Sequence, residues 1–252
     1  PIIWLLGASF KSNAEIFSSI GFWPKHFKFD AYVNGWKTGT EFTFGTYFIN
    51  SFKIVIPKVI FTLISCSLTA YGFARFEFPY KNVLFGFVIA TLFLPAVVTR
   101  IPMYILWKNL DLLDTYVPLI ANTIFAQEPF FVFMMVQFMR GIPREYDEAA
   151  IIDGASTWER FKHVTLPLIS PTTYLIVVLS TISAFQVFDL VLLLAGFDKT
   201  TTIHVVNTLI YRTSFTELAF GEAAVITWVL IFMVFALNVV YKALEKRFVH
   251  YE

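Results

Sequence analysis

Apolar segments of about twenty residues alternate with shorter polar segments along most of this chain. Each segment is long enough to cross the ~30 Å hydrocarbon core of a bilayer as a helix. The first eight residues are also apolar, and we interpret them as the end of one more span that begins before this sequence. The pattern therefore predicts an all-α, multi-pass membrane protein, a six-helix bundle whose first helix is truncated, in one domain over residues 1–252. The five complete spans are predicted at about 47–73, 83–104, 117–139, 168–194 and 223–241.

Composition supports a membrane protein and excludes several other classes. Hydrophobic residues make up 57% of the chain, and charged residues make up 15%, against roughly 25% in soluble domains. The net charge of +1 argues against a nucleic-acid partner. Cys66 is the single cysteine, and the four histidines are not spaced as metal ligands, so we expect neither a disulfide nor a metal site.

The distribution of lysine and arginine predicts the orientation in the membrane. These residues are dense in the short segments 75–81, 140–162 and 242–247, and sparse in the longer polar segments 9–46 and 195–221. Because cytoplasmic loops carry the excess of positive charge, the short segments are expected inside. The segments 9–46 and 195–221 are then extracytoplasmic loops, the C-terminus is cytoplasmic, and residues 140–167 form a cytoplasmic loop.

The cytoplasmic segment 140–167 has the local signals of a helix, a turn and a second helix. Acidic residues around Glu148 occupy the first turns, where the helix dipole favours carboxylates. Gly154 fits the left-handed position that ends a helix. Ser156 and Glu159 have capping-box spacing, which predicts that a second helix starts there. Pro167 ends that helix or its approach to the next span.

The same segment resembles the signature loop of ABC importer permeases. The matching residues are Glu148-Ala149-Ala150, then Gly154 after three residues, and then, nine residues later, Val164-Thr165-Leu166-Pro167. Val164, in place of isoleucine, is the one departure. Residues 75–81 and 94–104 further resemble the MalG-type subunit of carbohydrate importers, whereas 188–191 and 210–213 resemble the MalF-type subunit.

The resemblance implies a mechanical role for this loop as a coupling helix that docks into a groove on a cytoplasmic ATPase subunit. Glu148 would form an ion pair with a basic residue of that subunit, and Ala149, Ala150 and Gly154 would permit close approach. Leu166 and Pro167 would fix the point at which motion passes to the fifth span. From composition alone, the loop reads equally well as a solvated hairpin that joins two spans.

The resemblance also implies the partners and the cargo. The importer would contain this chain, a second, different permease chain, two ATPase subunits and an extracytoplasmic solute-binding protein, in a bacterial inner membrane. The cargo would be a sugar or oligosaccharide. The chain has no Gly-x-x-x-x-Gly-Lys-Ser/Thr phosphate loop, so we expect that it is not an enzyme and holds no cofactor. ATP and Mg²⁺ would be bound by the ATPase subunits.

Polar residues inside the spans are the candidates for the substrate path, because burying them in a bilayer is costly. Alternatively, these side chains form contacts between helices or with the second permease. Three cations near the predicted outer ends of spans, Lys53, Lys58 and Arg100, either extend to the interface or form an entry for an anionic sugar. The candidates for the substrate path are Gln127, Glu128, Gln186 and Asp189.

Two other classes of function compete with this interpretation. A secondary transporter or channel would be expected to show an internal inverted repeat or several buried acids for proton coupling, and neither is evident. A membrane-embedded enzyme would need a nucleophile, base or metal constellation. The sequence contains no His-Glu-x-x-His and no Gly-x-Ser-x-Gly motif, so we predict no catalytic residue.

Overall fold

The computed structural model describes residues 1–37, 42–196 and 202–249, and within these ranges every regular element is a helix. A 3₁₀ turn (Ala121–Phe125) and two π turns (Phe161–Thr165 and Arg212–Thr216) link some of the α-helices. The α-helices are α1 (Ile2–Ala8), α2 (Asn13–Ser18), α3 (Asp30–Lys37), α4 (Phe44–Arg75), α5 (Lys81–Thr91), α6 (Ala96–Asn109), α7 (Val117–Ile120), α8 (Pro129–Gly141), α9 (Glu145–Ile152), α10 (Thr157–Arg160), α11 (Leu166–Leu168), α12 (Ser170–Phe185), α13 (Asp189–Ala195), α14 (Val206–Tyr211) and α15 (Phe220–Phe248).

Three stretches of helix are long and apolar enough to cross a membrane, and two bent helix pairs bring the number of candidate spans to five. The three are Phe44–Arg75, Val117–Gly141 and Phe220–Arg247. The prediction of an all-α, multi-pass membrane protein is therefore confirmed.

The third predicted span, at 83–104, is not a straight helix. Helices α5 and α6 meet at an angle of 97°. Pro95 lies in the break between them, with the extended backbone of a residue that precedes a helix. Proline removes one backbone donor and disfavours helical geometry in the residue before it, which accounts for the break.

The fourth and fifth predicted spans are also interrupted. In the fourth, the 3₁₀ turn ends at Ala126, whose φ of 52° is left-handed, and α8 begins only at Pro129. In the fifth, predicted at 168–194, α12 ends at Phe185 and α13 begins at Asp189. At both interruptions side chains bind the backbone carbonyls, with Ser65 donating to Thr123 (2.7 Å) and Asn207 to Phe185 (2.8 Å).

Helix α4 forms the centre of the bundle, packed against α8 and α12. Cys66, Ala70 and Ala74 recur every four residues along it, and each is at most 5% exposed. Met135 and Met139 of α8 fill the space that these small side chains leave. Small residues at this spacing let two helices approach closely, and the buried apolar area stabilises the pair.

The segment predicted as an outer loop at 195–221 is largely buried where the structure describes it. Ile203, Val205 and Leu209 are at most 1% exposed, and they pack against α4, α13 and α15. Asn50 of α4 donates hydrogen bonds to the carbonyls of Thr202 (2.8 Å) and His204 (3.1 Å). The segment is polar on average, so its sequence did not indicate that its apolar residues pack against the spans. Residues 197–201 lie outside the described part of the chain.

The other predicted outer loop, 9–46, contains α2 and α3 and packs against the start of α15. The Asn13 side chain donates to the carbonyl of Leu218 (3.0 Å) and accepts from the Gly221 amide (3.3 Å). The second bond pairs one of the backbone donors that the start of α15 leaves without a helical partner. Residues 38–41 of this predicted loop lie outside the described part of the chain.

Candidate coupling surface and substrate path

The helical hairpin predicted at 140–167 is present, and its turn is closed by a Schellman motif. Gly154 has a φ of 83°. Its amide donates to the Ile151 carbonyl (3.0 Å), while the Ala155 amide donates to the Ala150 carbonyl (2.9 Å). These two bonds satisfy carbonyls that the end of α9 would leave unpaired.

The second helix of the hairpin begins at the predicted capping box. The Ser156 amide donates to Glu159 Oε2 (2.8 Å), and the Glu159 amide donates to Ser156 Oγ (3.3 Å). Hydrogen bonds from Ser156 favour the ionised carboxylate and hold the pKa of Glu159 below its usual range. The start of α10 is thus fixed by local chemistry alone.

The outer face of the hairpin is exposed and partly apolar. Among the predicted coupling residues, Glu148, Ala149 and Gly154 are exposed, and Ala150 is half-buried. Large apolar side chains beside them also face outward, with Ile152 85% exposed and Trp158 62% exposed. Exposed apolar patches rimmed by charge are typical of protein interaction sites. We call this face, formed by Glu148, Ala149, Ile151, Ile152, Gly154 and Trp158, the coupling surface.

Leu166 and Pro167 lie at the junction between the hairpin and the fifth span. The chain passes from α10 through a π turn into α11, then bends by 73° into α12. In the π turn the Leu166 amide bonds to the Phe161 carbonyl. Pro167 has no amide proton to donate, so the turn before it cannot keep regular α-helical bonding. The bend thus coincides with the residues predicted to pass motion into the bundle.

Sequence reasoning missed the ion pair that attaches α9 to the bundle. Asp147 is the only buried residue of α9, and its Oδ2 lies 3.1 Å from Nε of Arg75 at the end of α4. Arg75 Nη1 also donates to the Ile142 carbonyl (3.3 Å), just before α9. Opposite charges 72 positions apart carry no local signal that they meet.

An aromatic contact reinforces this attachment. The Phe161 ring in the π turn lies 5.0 Å from the ring of Tyr71 on α4 and 5.5 Å from that of Trp158. Trp158 belongs to the coupling surface, so its ring connects that surface to α4 through Phe161. Such ring pairs contribute about 0.5–1.5 kcal/mol beyond their buried area.

Gln127 and Glu128 lie in the break of the fourth span, beside the C-terminal half of α4. Gln127 is exposed and Glu128 is half-buried. Ser65 Oγ donates to the Thr123 carbonyl (2.7 Å), and the sulfur of Cys66 lies 4.0 Å from the Glu128 carbonyl oxygen. The backbone of this break is therefore held by α4, while the Gln127 side chain points away from the packed core.

Gln186 and Asp189 lie at the break of the fifth span, beside the N-terminal half of α4. Phe185, next to Gln186, packs edge-on against Phe52 with ring centroids 5.3 Å apart. Asp189 forms an ion pair with Arg100 of α6 and accepts a hydrogen bond from the Leu190 amide (2.8 Å). The pair joins the helices that follow the breaks in the third and fifth spans.

The four predicted path residues do not form one site in this chain. One pair lies at the level of Cys66 and the other at the level of Phe52, and a rise of 1.5 Å per residue separates these levels by about 20 Å along α4. The two pairs, Gln127 with Glu128 and Gln186 with Asp189, therefore form two separate polar sites at different levels along α4. We call these sites polar stations. The sequence could indicate the Arg100–Asp189 pair only through two opposite charges that lie in different apolar segments.

The three cations predicted near the outer ends of spans differ in their surroundings. Arg100 is paired with Asp189, and Lys53 Nζ lies 5.6 Å from the centre of the Tyr116 ring. Lys58 is half-buried on α4. Two of the three cations are thus engaged within the chain.

A helical bundle with up to five apolar spans and an exposed helical hairpin defines a multi-pass membrane protein. The chain belongs to the family of binding-protein-dependent transport system inner membrane components, whose family model matches residues 52–250. It is accordingly a multi-pass protein of the inner membrane, and its family consists of transport permeases.

Two relatives illustrate this membership. The diacetylchitobiose uptake system permease protein NgcG of Streptomyces coelicolor is 36% identical over 171 residues, covering 68% of this chain and 56% of NgcG. A putative ABC transporter permease protein of a Caldicellulosiruptor species is 35% identical over 173 residues, covering 68% of this chain and 61% of that protein. The match thus spans about three fifths of the length of these relatives.

The fold is also shared with a solved structure. The crystal structure of a bacterial ABC transporter involved in the import of the acidic polysaccharide alginate matches 98% of this chain and 90% of the corresponding chain. The TM-score is 0.78 and the sequence identity 22%. This similarity establishes the arrangement of the helices.

Proposed function

We propose that this chain is one of two transmembrane subunits of an ATP-driven importer and forms part of the path for a sugar or oligosaccharide. The observation that carries the proposal is the coupling surface, which exposes the signature residues Glu148, Ala149 and Gly154, in a chain of this family. The sugar cargo is supported by the relative NgcG, which is named for diacetylchitobiose uptake.

The energy would come from partner subunits. The sequence lacks a Gly-x-x-x-x-Gly-Lys-Ser/Thr loop, so two separate ATPase subunits would bind ATP and Mg²⁺. Glu148 would pair with a basic residue of one ATPase subunit, while Ala149 and Ala150 allow its surface to approach α9. ATP needs only to bind one conformation of the assembly much better than the other to shift its population.

The remaining partners follow from the orientation that the charges favour. The hairpin and the C-terminus would face the cytoplasm, and the described parts of segments 9–46 and 195–221 would face an external binding protein. Exposed aromatic residues of the first segment, such as Phe22 (58%) and Trp23 (55%), suit that contact. A second, different permease chain would complete the path.

We infer that the cargo passes two polar stations in turn, Gln186 with Asp189 and then Gln127 with Glu128. The ion pair between Arg100 and Asp189 makes Arg100 less available to an anionic cargo at the first station. Lys58, half-buried on α4, is then the candidate cation for such a cargo.

Reconstitution in liposomes tests the proposal. The complex would be purified with the permease, ATPase and binding-protein subunits encoded beside this chain. Diacetylchitobiose serves as the neutral probe and an alginate oligosaccharide as the acidic probe. We expect ATP-dependent uptake of the neutral probe. Uptake driven by a proton or sodium gradient without ATP would instead identify a secondary transporter, and uptake of the acidic probe alone would make the cargo anionic.

A further inference from the structure

Only one residue of the coupling helix α9 is buried, and its side chain is charged. Of its eight residues, from Glu145 to Ile152, only Asp147 is buried, and Ala150 is half-buried. A helix attached through so little apolar area can shift as a unit unless a specific contact holds it. Asp147 provides that contact through its ion pair with Arg75.

Both side chains of the pair are shielded from solvent. The side chains of Arg75 and Asp147 are only 8% and 12% exposed, and the nitrogen and oxygen of the pair are 3.1 Å apart. Arg75 also donates to the Ile142 carbonyl at the entry to α9, so one guanidinium holds the helix and the turn before it. Separating a buried pair leaves an uncompensated charge, so the two residues are expected to move together.

Arg75 is the last residue of α4, which is continuous from Phe44 to Arg75. About two thirds of the way along, Ser65 of α4 donates a hydrogen bond to the Thr123 carbonyl beside the break in the fourth span. Near its outer end, Asn50 holds the carbonyls of Thr202 and His204 in the buried outer segment. A displacement of α4 would therefore move both the break that contains Gln127 and Glu128 and the buried segment around Thr202 and His204.

We propose that the Arg75–Asp147 pair is a mechanical joint through which α9 moves α4, and that Asp147 and Arg75 are positioning residues for transport. The joint acts beside the connection through Leu166 and Pro167, which leads into α12. This inference rests on the proposed function, because it requires an ATPase that displaces α9.

The test measures motion of α4 and needs no knowledge of the cargo. In a Cys66→Ala background, spin labels are attached at Ile49 of α4 and Phe232 of α15, which are 57% and 70% exposed. The distance between labels is measured in the assembled complex, without nucleotide and with a non-hydrolysable ATP analogue. Co-purification of the ATPase subunit is recorded for each variant.

Asp147→Asn is the variant that breaks the joint, and the double variant Arg75→Asp with Asp147→Arg restores it with reversed charges. We expect Asp147→Asn to retain the ATPase but to lose most of the nucleotide-dependent change in distance, and the double variant to regain at least half of it. Glu77→Gln is the matched control. It removes the charge of an exposed carboxylate (74%) that pairs with Lys81 (3.1 Å) and Arg144 (3.8 Å), and it should leave the change in distance intact.

Several results would overturn the inference. One is an unaltered change in distance for Asp147→Asn, and another is a double variant that assembles without regaining the change. Failure of both variants to assemble would show that the pair serves folding. If the wild-type chain retains no ATPase subunit, the proposed function itself fails, which is distinct from these results.

Discussion

Arg100 of α6 and Asp189 of α13 form an ion pair between two helices that each begin after a break in a span. Their side chains are 32% and 52% exposed, so the pair is neither buried in the core nor free in solvent. It connects the two helices at the level of Phe52 on α4.

Because the two charges are partners, substitutions at Arg100 and Asp189 should not act independently. We expect Arg100→Gln and Asp189→Asn each to reduce the initial rate of uptake of the sugar that the complex transports. The double variant should be less impaired than the product of the two single effects, by about 2-fold or more. A double-mutant cycle on uptake rates measures this interaction. Strictly multiplicative effects on the uptake rate would show that the interaction between the two charges does not contribute to transport.

Gln127 and Gln186, in contrast, lie at levels about 20 Å apart along α4. Sites this far apart usually act additively, to within about 0.5 kcal/mol. We therefore expect Gln127→Ala and Gln186→Ala to multiply in their effects on uptake rate. A strong interaction between them, measured in the same cycle, would mean that one bound sugar contacts both stations at once.

Space does not explain the glycine at position 154, since a Cβ atom there would meet no atom within 4 Å. Its left-handed backbone conformation does. At a φ of 83° an alanine is strained by about 1–2 kcal/mol. We expect Gly154→Ala to lower the apparent Tm of the purified protein by about 2–8 °C. Gly86→Ala is the matched control, since that glycine is equally unobstructed but lies within α5. Equal Tm values for the two variants would contradict the role of the left-handed turn.

The capping box should make the start of α10 depend on pH. The pKa of Glu159 is lowered by hydrogen bonds from Ser156, so the stabilisation is complete above the pKa of the unfolded chain and is lost as pH falls through the folded value. We expect the hydrogen-exchange protection of residues 156–160, corrected for intrinsic rates, to fall on acidification. In Ser156→Ala, which removes about 1 kcal/mol of capping, protection should be lower and less dependent on pH. Protection in the wild type that does not change with pH would contradict this account.

The features that the sequence predicted well are those fixed by neighbours along the chain. Gly154 and the pair Ser156 and Glu159 each act within a few residues, so their spacing predicts the hairpin turn and the second helix. The apolar segments likewise predict spans, because the bilayer requires a certain length. These local rules account for most of the helices.

The features that the sequence did not predict depend on contacts between distant residues. Asp147 resembles its exposed neighbour Glu148 in sequence, and only the fold shows that it is buried against Arg75. Similarly, Ile203 and Val205 lie in a segment that is polar on average, and they become core residues because α4 and α13 present apolar surfaces to them. Hydropathy also could not place the breaks near Pro95 and Pro129, because the residues around them are apolar.

The measurement that tests the central claim most directly is whether an ATPase subunit remains bound to this chain through Glu148. The chain would be purified with the ATPase subunit encoded beside it, as wild type and as Glu148→Arg. Asp30→Arg carries the same change of charge on the exposed start of α3, which is predicted to lie on the opposite side of the membrane. We expect the ATPase to co-purify with the wild type and with Asp30→Arg and to be lost from Glu148→Arg. A wild-type chain that binds no ATPase, or a Glu148→Arg variant that binds it normally, would contradict the account.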